Sequence, residues 1–473
     1  MKKYFIQIVI YSAITSTVCI CSCNKLVEVT PETVVTGDKL FADDQGAEAA
    51  MVGLYQQCMN SFSLLNGYLS RYASLYADEV SRTGSTSTDN NFYNLNLSSG
   101  ESLMEELWST SYNYIYQCNA ILEKLSASTA VSQSMKQQLT GESKFMRALV
   151  YFYLVNMYGD VPLVLQTKVD ATANLSRSSQ ASVYKQMAED LRNAQELLSF
   201  SYPATNSTIP SNRIRPNKAA TLALLARVCL YTGDDNNAII YSSQVIDAGI
   251  YKLADSVNDV FAAQSIETIF AMYPVNTLYN TAEGRIFGFA PPAVRPAFVL
   301  SSSLLDGFET GDRRKANWIR TVAVGTTTYN IPYKYKVYES GEVLEYNIIL
   351  RLAELYLIRA EANMHNGRNE VAIEDINKIR KRAGLTELAL TLSSKEVQAY
   401  LESENQKEFF TELGHRWFDL RRWPATNAAG LRRADEVLSV AKPGQWQSYK
   451  LYWPLPAEEI AKSKMLTQNP GYN

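Results

Sequence analysis

The sequence predicts an all-α, mainly helical protein made of antiparallel helix pairs joined by long loops, with one small β-hairpin. Three observations carry this. Apolar residues recur at three- and four-residue intervals over long stretches, the period of a helix with one buried face. A small–Gly–small spacing occurs twice within that helical background. Between the periodic stretches lie long segments rich in Ser, Thr, Asn and Gly that follow neither the helix nor the strand period.

Met1-Lys2-Lys3 is a short positive start, and residues 4–20 are mostly apolar with small polar breaks. That is the plan of a secretory signal, too short and too interrupted to span a membrane stably. It ends in "ICSC" at residues 20–23: an apolar residue, two small ones and a Cys, the pattern of a bacterial lipobox. Cutting before Cys23 frees an amine and a thiol for acylation. Several acyl chains, at about 0.8 kcal/mol per buried CH₂, anchor where one does not. A plain secretory signal with a chance Cys is the alternative. Residues 1–22 take Lys2 and Lys3 with them, so the remainder is two charges more negative than the −3 of the whole chain. That mild acidity argues against a nucleic-acid binder, which would show a basic stripe.

The first long helix is marked by Leu107, Trp108, Tyr112, Ile115 and Tyr116. Phe145, Ala148, Leu149, Phe152 and Val155 mark the next, and "YGDVP" ends it, because Gly stops a helix and Pro forbids its continuation. Tyr184, Met187, Leu191, Ala194 and Leu198 form a third stripe. Then come two segments that repeat each other: Ala226, Gly233 and Ala238 stand 7 and 5 residues apart, and so do Ala360, Gly367 and Ala372. A small residue late in one helix, a Gly turn and a small residue early in the next is the grammar of the tetratricopeptide repeat. A hairpin is predicted over residues 318–338, with Gly325 at the turn and its second arm alternating through Tyr333, Lys334, Tyr335, Lys336 and Val337. Residues 82–100, 199–217 and 273–296 read as polar, aromatic loops. Loops this long are usually functional or disordered.

Of six cysteines, Cys19 and Cys21 leave with the signal and Cys23 is assigned to lipid. Cys58, Cys118 and Cys229 sit in apolar helical patterns and are read as buried free thiols, a Cys58–Cys118 bridge being the alternative. His365 and His415 are the only histidines, so a metal site has almost no material.

The order of motifs resembles the SusD/RagB family of nutrient-binding outer-membrane lipoproteins. "GAEAAMVGLYQQ" (46–57), "WSTSYNYIYQCNAIL" (108–122), "RALVYFYLVNMYGDVPLV" (147–164), "RPNKAATLALLARVCLYTGD" (215–234), "GDRR" (311–314), "RLAELYLIRAEA" (351–362), "INKIRKRAGL" (376–385), "FFTELGHRWFDLRRW" (409–423) and "WPLPAEEIAKSKMLTQNPGY" (453–472) follow in the family's sequence. "NQKE" at 405–408 departs from it, where many members carry Glu-Arg or Arg-Arg. The resemblance implies four tetratricopeptide-like helix pairs as scaffold, loops that bind nutrients, and no catalytic residues or cofactor. It also implies a lipid-anchored place at the outer membrane, facing outside, over a SusC-like TonB-dependent transporter that the protein closes as a lid. In this reading the chain divides into a signal (1–22), an N-terminal region (23–260) and a C-terminal region (261–473) that pack as one body.

The stretch at 409–423 puts acid, histidine and arginine together and poses the question of catalysis. Continuous helix would place Glu408, Glu412 and Arg416 on one face as an ion-pair ladder, with Asp419 within reach of Arg416 or a neighbouring helix end. Phe409, Phe410, Leu413, Trp417 and Leu420 then form the apolar face, and the stretch reads as framework. Arg351, Glu354, Arg359 and Glu361 read as solvated or ladder charges within a helix pair.

A carbohydrate site needs aromatic rings for the C–H faces of sugars and planar polar groups for their hydroxyls. "DNNFYN" at 89–94 offers that mixture, so the candidate ligand-binding residues are Asn91, Phe92, Tyr93 and Asn94, followed by Tyr279 and Phe287. Peptide capture of the RagB type and a surface glycosidase are the alternative functions.

Overall fold

The computed structural model describes residues 37–60, 62–84, 86–204, 212–275, 278–288 and 294–472. Cys23 and the segment read as a signal lie outside them. The principal helices are α1 (Asp44–Met59), α2 (Tyr68–Tyr76), α3 (Ser87–Tyr93), α4 (Ser102–Ala127), α5 (Gln133–Tyr158), α6 (Gln180–Leu197), α7 (Lys218–Tyr231), α8 (Asp235–Asp247), α9 (Ala282–Phe287), α10 (Arg313–Trp318), α11 (Leu352–His365), α12 (Asn369–Arg382), α13 (Ser394–Phe409), α14 (His415–Arg422) and α15 (Arg433–Ala441). The mainly helical prediction holds.

The scaffold is a row of helices packed one on the next. Each of α4, α5, α6, α7, α8, α11, α12 and α13 packs against the next in that order. In α4, Leu107, Trp108 and Ile115 are buried as the stripe requires, but Tyr116 points outward at 52% exposure. Helix α5 is the centre of the row: every residue from Phe145 to Tyr158 is buried, including Arg147 and Asn156. A helix surrounded on all sides loses its polar face. It ends at Gly159, and Val161 leaves the helix to bridge Ser178.

The repeated spacing is realised twice. Ala226 and Ala238 lie on α7 and α8, which pack together, and Ala360 and Ala372 on α11 and α12, which do the same; all four are fully buried. Their small side chains let the paired helices approach closely. Gly233 and Gly367 hold φ of 75° and 73°, so the chain reverses through the left-handed region that glycine enters without a Cβ penalty. Helix α8 also packs on α11, which makes the two repeats neighbours although more than a hundred residues of chain separate them.

Three short antiparallel ribbons complete the fold: β1 (Val80–Arg82) pairs with β3 (Phe298–Leu300), β2 (Thr268–Met272) with β6 (Asn347–Arg351), and β4 (Ile319–Val324) with β5 (Thr327–Pro332). The predicted hairpin is the last of these, with Gly325 in its turn. Its second arm stops at Pro332, so the alternation over 333–337 is not a strand pleat. Lys334 and Tyr335 both turn into the interior, where Lys334 donates to the carbonyl of Glu408 at 2.6 Å. The segment 82–100 is likewise not a bare loop: Thr86 caps α3 by accepting from the N–H of Asp89. Helix α9 is set in the segment 273–296 in the same way.

One apolar core runs from Phe41 to Leu455, and a second cluster fills the space between α11, α12 and α13. Cys58, Cys118 and Cys229 are buried and unbridged, as free-thiol packing requires. Among the described residues no helix is long and apolar enough to cross a membrane.

Candidate functional site

The charged stretch at 409–423 folds differently from a continuous helix. Helix α13 ends at Phe409 and α14 begins at His415. Between them Thr411, Leu413 and Gly414 all hold positive φ (57°, 43° and 77°), which breaks the helical face. The expected ladder of Glu408, Glu412 and Arg416 therefore does not form, and each charge finds a distant partner instead. Glu408 accepts from Arg314 at 3.2 Å, from Arg351 at 2.6 Å and from Arg382. Glu412 accepts from Lys334 at 2.6 Å and from Arg351 at 2.8 Å. Arg416 forks onto Asp78 at 2.8 and 3.0 Å, and Asp419 pairs with Arg422 at 2.9 Å rather than with Arg416.

Arg351 and the charges of α11 are not solvated either. Arg351 also reaches Glu267 at 3.0 Å, Glu354 receives Arg227 at 2.7 Å, and Glu361 receives Arg422 at 2.7 Å. Only Arg359, on Asp375 at 2.7 Å, pairs within its own helix pair.

His415 stacks on Phe409 with ring centres 4.6 Å apart. Burial, with Arg227, Arg351 and Lys334 around it, pushes its pKa well below the usual histidine range, so the ring stays neutral. The cavity beside this stretch, lined by Glu283, Phe287, Pro332, Lys334, Tyr335, Thr411 and Glu412, measures about 10 Å³. That holds a single water at most. The apolar residues Phe409, Phe410, Leu413, Trp417 and Leu420 are all buried, as expected. The stretch is framework, held by charge pairs instead of a ladder.

A different set of residues gathers at the N-terminal end of α2. Gly67 starts this helix at φ 91°, and a Cβ there would lie 2.6 Å from Ala282 and 2.7 Å from Ile286, so only glycine lets α9 sit against the turn. The turn brings Phe62 parallel to Tyr68 (centroids 6.1 Å apart, 22° between planes) and to Tyr279 (6.4 Å, 10°). All three rings are half-buried. The hydroxyl of Tyr68 meets Glu106 at 3.2 Å, and one helical turn on, Tyr72 continues the row inward. Arg71 makes two parallel bonds to Asp89, 2.8 and 2.6 Å, a rigid planar pair on α2 and α3. Asn91 donates to Glu101 at 2.6 Å beside it. On the other flank Arg285 lies 4.2 Å from the ring centre of Tyr338 and bonds Glu339 at 2.7 Å, while the N–H of Ser340 bonds the carbonyl of Leu278 at 2.9 Å. The result is a continuous face of partly exposed rings edged by fixed amides and paired charges.

Residues 307–472 match the family described as "SusD family", and residues 46–230 match the one described as "Starch-binding associating with outer membrane". The chain belongs to the SusD/RagB family. Among full-length relatives, SusD-like protein P25 of Formosa agariphila is 23% identical over 96% of both chains. The starch-binding protein SusD of Bacteroides thetaiotaomicron is 25% identical over 76% of both. A solved SusD superfamily protein from Bacteroides vulgatus superposes with a TM-score of 0.78 at 24% identity, covering 91% of this chain and 99% of that one, which shows a shared fold. One of the two matching family descriptions is of starch-binding proteins associated with the outer membrane, and the Bacteroides thetaiotaomicron relative is named as a starch-binding protein.

In this SusD-like chain the residues predicted to bind ligand separate into two groups. Tyr279 lies in the aromatic face and Asn91 at its polar edge. Phe92 is fully buried, with its ring 4.6 Å from Tyr72 and 5.0 Å from Trp453, and so packs the core instead of offering a surface. Phe287 is buried against Phe298. Tyr93 is half-buried, with Arg82 at 5.5 Å and Lys442 at 4.5 Å from its ring centre, and Asn94 ends α3. Phe62, Tyr68 and Arg71 were not found by sequence reasoning. The available signal was "NGY" at 66–68, a turn dipeptide between two aromatics.

Proposed function

We propose that this protein captures oligosaccharides at the outer membrane on the face formed by Phe62, Tyr68 and Tyr279, and passes them to a SusC-like TonB-dependent transporter that it closes as a lid. The observation that carries the reading is the near-parallel set of these three half-buried rings beside the fixed Arg71–Asp89 and Asn91–Glu101 pairs. Flat rings take the C–H faces of sugars, and immobilised amides and carboxylates take hydroxyls without paying to order themselves on binding. The starch-binding name of the Bacteroides relative supports the ligand class. Affinity need only be modest, because the cargo must be released: micromolar binding is about −8 kcal/mol.

The test is isothermal titration with plant, microbial and host oligosaccharides and, in parallel, short peptides. Tyr68→Ala/Tyr279→Ala should weaken sugar binding ten-fold or more with a smaller change in melting temperature than truncation of a fully buried ring, because both rings are only half-buried. Binding of peptides and no sugar would sink the ligand assignment. Sugar binding unaltered by the double change would sink the choice of face.

The anchor of this proposal is Cys23, acylated after cleavage of residues 1–22, with the body facing outside. Cys23→Ala should move the protein from the membrane fraction to the soluble one. A variant that stays as membrane-bound as wild type through a high-salt wash argues against lipidation.

A further inference from the structure

The far end of α2 leads to a second cavity. The first residue of α2, Tyr68, is in the aromatic face; its last, Tyr76, bonds the carbonyl of Lys450 at 2.9 Å, beside that cavity. Eight residue steps at 1.5 Å place the two ends about 12 Å apart along the helix. The cavity measures about 360 Å³ and is lined by Asp160, Arg177, Gln180, Tyr449 and Tyr452, with Ser448 exposed at its mouth. That volume is at the low end of the ~300–1,000 Å³ typical of small-molecule sites.

Its floor is rigid. Arg177 donates to the carbonyls of Asp160 (2.7 Å), Thr467 (3.0 Å) and Tyr158 (3.2 Å) and to the side chain of Asn469 (2.5 Å). Asn469 in turn donates to the carbonyls of Tyr158 at 2.9 Å and Trp453 at 2.8 Å. The two rings are fixed as well. Tyr452 donates to Gln180 Oε1 at 3.0 Å and has Arg421 4.5 Å from its ring centre. Tyr449 meets Tyr472 edge-on at 5.1 Å. Two glycines make room for them: a Cβ on Gly159 would stand 3.2 Å from Tyr452, and one on Gly471 would stand 2.4 Å from Tyr449.

Several lining atoms are left over. Asp160 Oδ1 accepts from the N–H of Gln180 at 2.9 Å, but Oδ2 has no hydrogen-bond partner among the described residues, and neither have Gln180 Nε2 and the hydroxyl of Tyr449. A carboxylate oxygen, an amide donor and a phenol beside two aromatic rings suit a ring that carries hydroxyls. Arg177 sits against Asp160, so the lining is close to charge-neutral, which favours a neutral ligand over an ammonium or a phosphate.

We propose that this cavity is a second carbohydrate site, separate from the aromatic face, that takes one or two rings at the end of a neutral sugar chain. The ligand's hydroxyls bond Asp160 and Gln180, and its C–H face lies on Tyr449 and Tyr452.

The test uses saturation-transfer NMR with maltose, cellobiose and N-acetylglucosamine on the mature chain carrying Tyr68→Ala/Tyr279→Ala, which takes the aromatic face out of play. At least one probe should still be saturated. The signal should fall five-fold or more with Ser448→Trp, which fills the mouth from an exposed position, and also with Asp160→Asn, which keeps the acceptor for Gln180. Melting temperatures should stay unchanged in both. No saturation by any probe, or a signal that survives either added change, overturns the proposal. The aromatic face is read separately, from wild-type affinity, so the two sites fail independently.

Discussion

Glu408→Ala should cost roughly 3–5 kcal/mol of folding stability, the range for removing one partner of a buried charge pair. Glu408 is fully buried and receives Arg314, Arg351 and Arg382, which come from three separate elements. Without its carboxylate, three guanidinium groups face one another with the neighbouring Asp312, Glu267, Glu404 and Glu412 left to compensate. Chemical denaturation at neutral pH measures the loss, and a loss under about 1 kcal/mol would show that the remaining acids suffice. The pH dependence has a definite sign. Burial alone would raise the carboxyl of Glu408, but Arg382, Arg351 and Arg314 hold it well below the usual range. A depressed folded-state pKa stabilises above the unfolded value, about 4.3 for glutamate, and this contribution is lost as pH falls through the folded value. The difference between wild type and Glu408→Ala should therefore shrink below about pH 4. A difference that stays constant from neutral pH to pH 3 contradicts the ionic account.

Phe92→Ala should cost about 3–5 kcal/mol as well, by a different mechanism. The ring fills a closed space among Tyr72, Tyr76 and Trp453, with centroids at 4.6, 6.2 and 5.0 Å. Trp453 belongs to the C-terminal tail, so this one ring ties α3 to α2 and to the tail. Truncation leaves a cavity that the rigid aromatic neighbours cannot close. Helix α3 also carries Asp89 and Asn91, the polar edge of the aromatic face, so sugar binding should weaken with the loss of order. Phe92→Leu separates packing from contact. It keeps most of the volume and should restore both stability and binding. Binding that stays lost in Phe92→Leu while stability returns would mean that the ring itself touches ligand.

Local pattern was enough for the scaffold. Helix period depends on neighbours three and four residues away, so α4, α5 and α6 are legible from their own stripes. The Ala226–Gly233–Ala238 and Ala360–Gly367–Ala372 spacings work because close helix approach and a left-handed turn each demand one residue type at one place. The turn at Gly325 and the helix stop at Gly159 are local in the same sense. The order of motifs along the chain carried the family.

Other features were set by contacts far apart in sequence. Nothing local tells Glu408 that its partners are Arg314, Arg351 and Arg382, or Arg416 that its partner is Asp78; the ladder read from helical spacing failed because three left-handed residues at 411–414 break the helix. Nor does "DNNFYN" say which of its aromatics faces out. Phe92 is buried because Trp453 arrives from the tail, and Tyr279 joins the face because Gly67 lets α9 close against the start of α2. The alternation at Tyr333–Val337 looked like a strand, but Lys334 turns in to meet the carbonyl of Glu408 and the carboxylate of Glu412. Sequence alone determined the helices, their pairing grammar and the family. The tertiary structure decided which charges pair and which rings stay at the surface, because burial and ion pairing depend on what the rest of the chain brings to the same point in space.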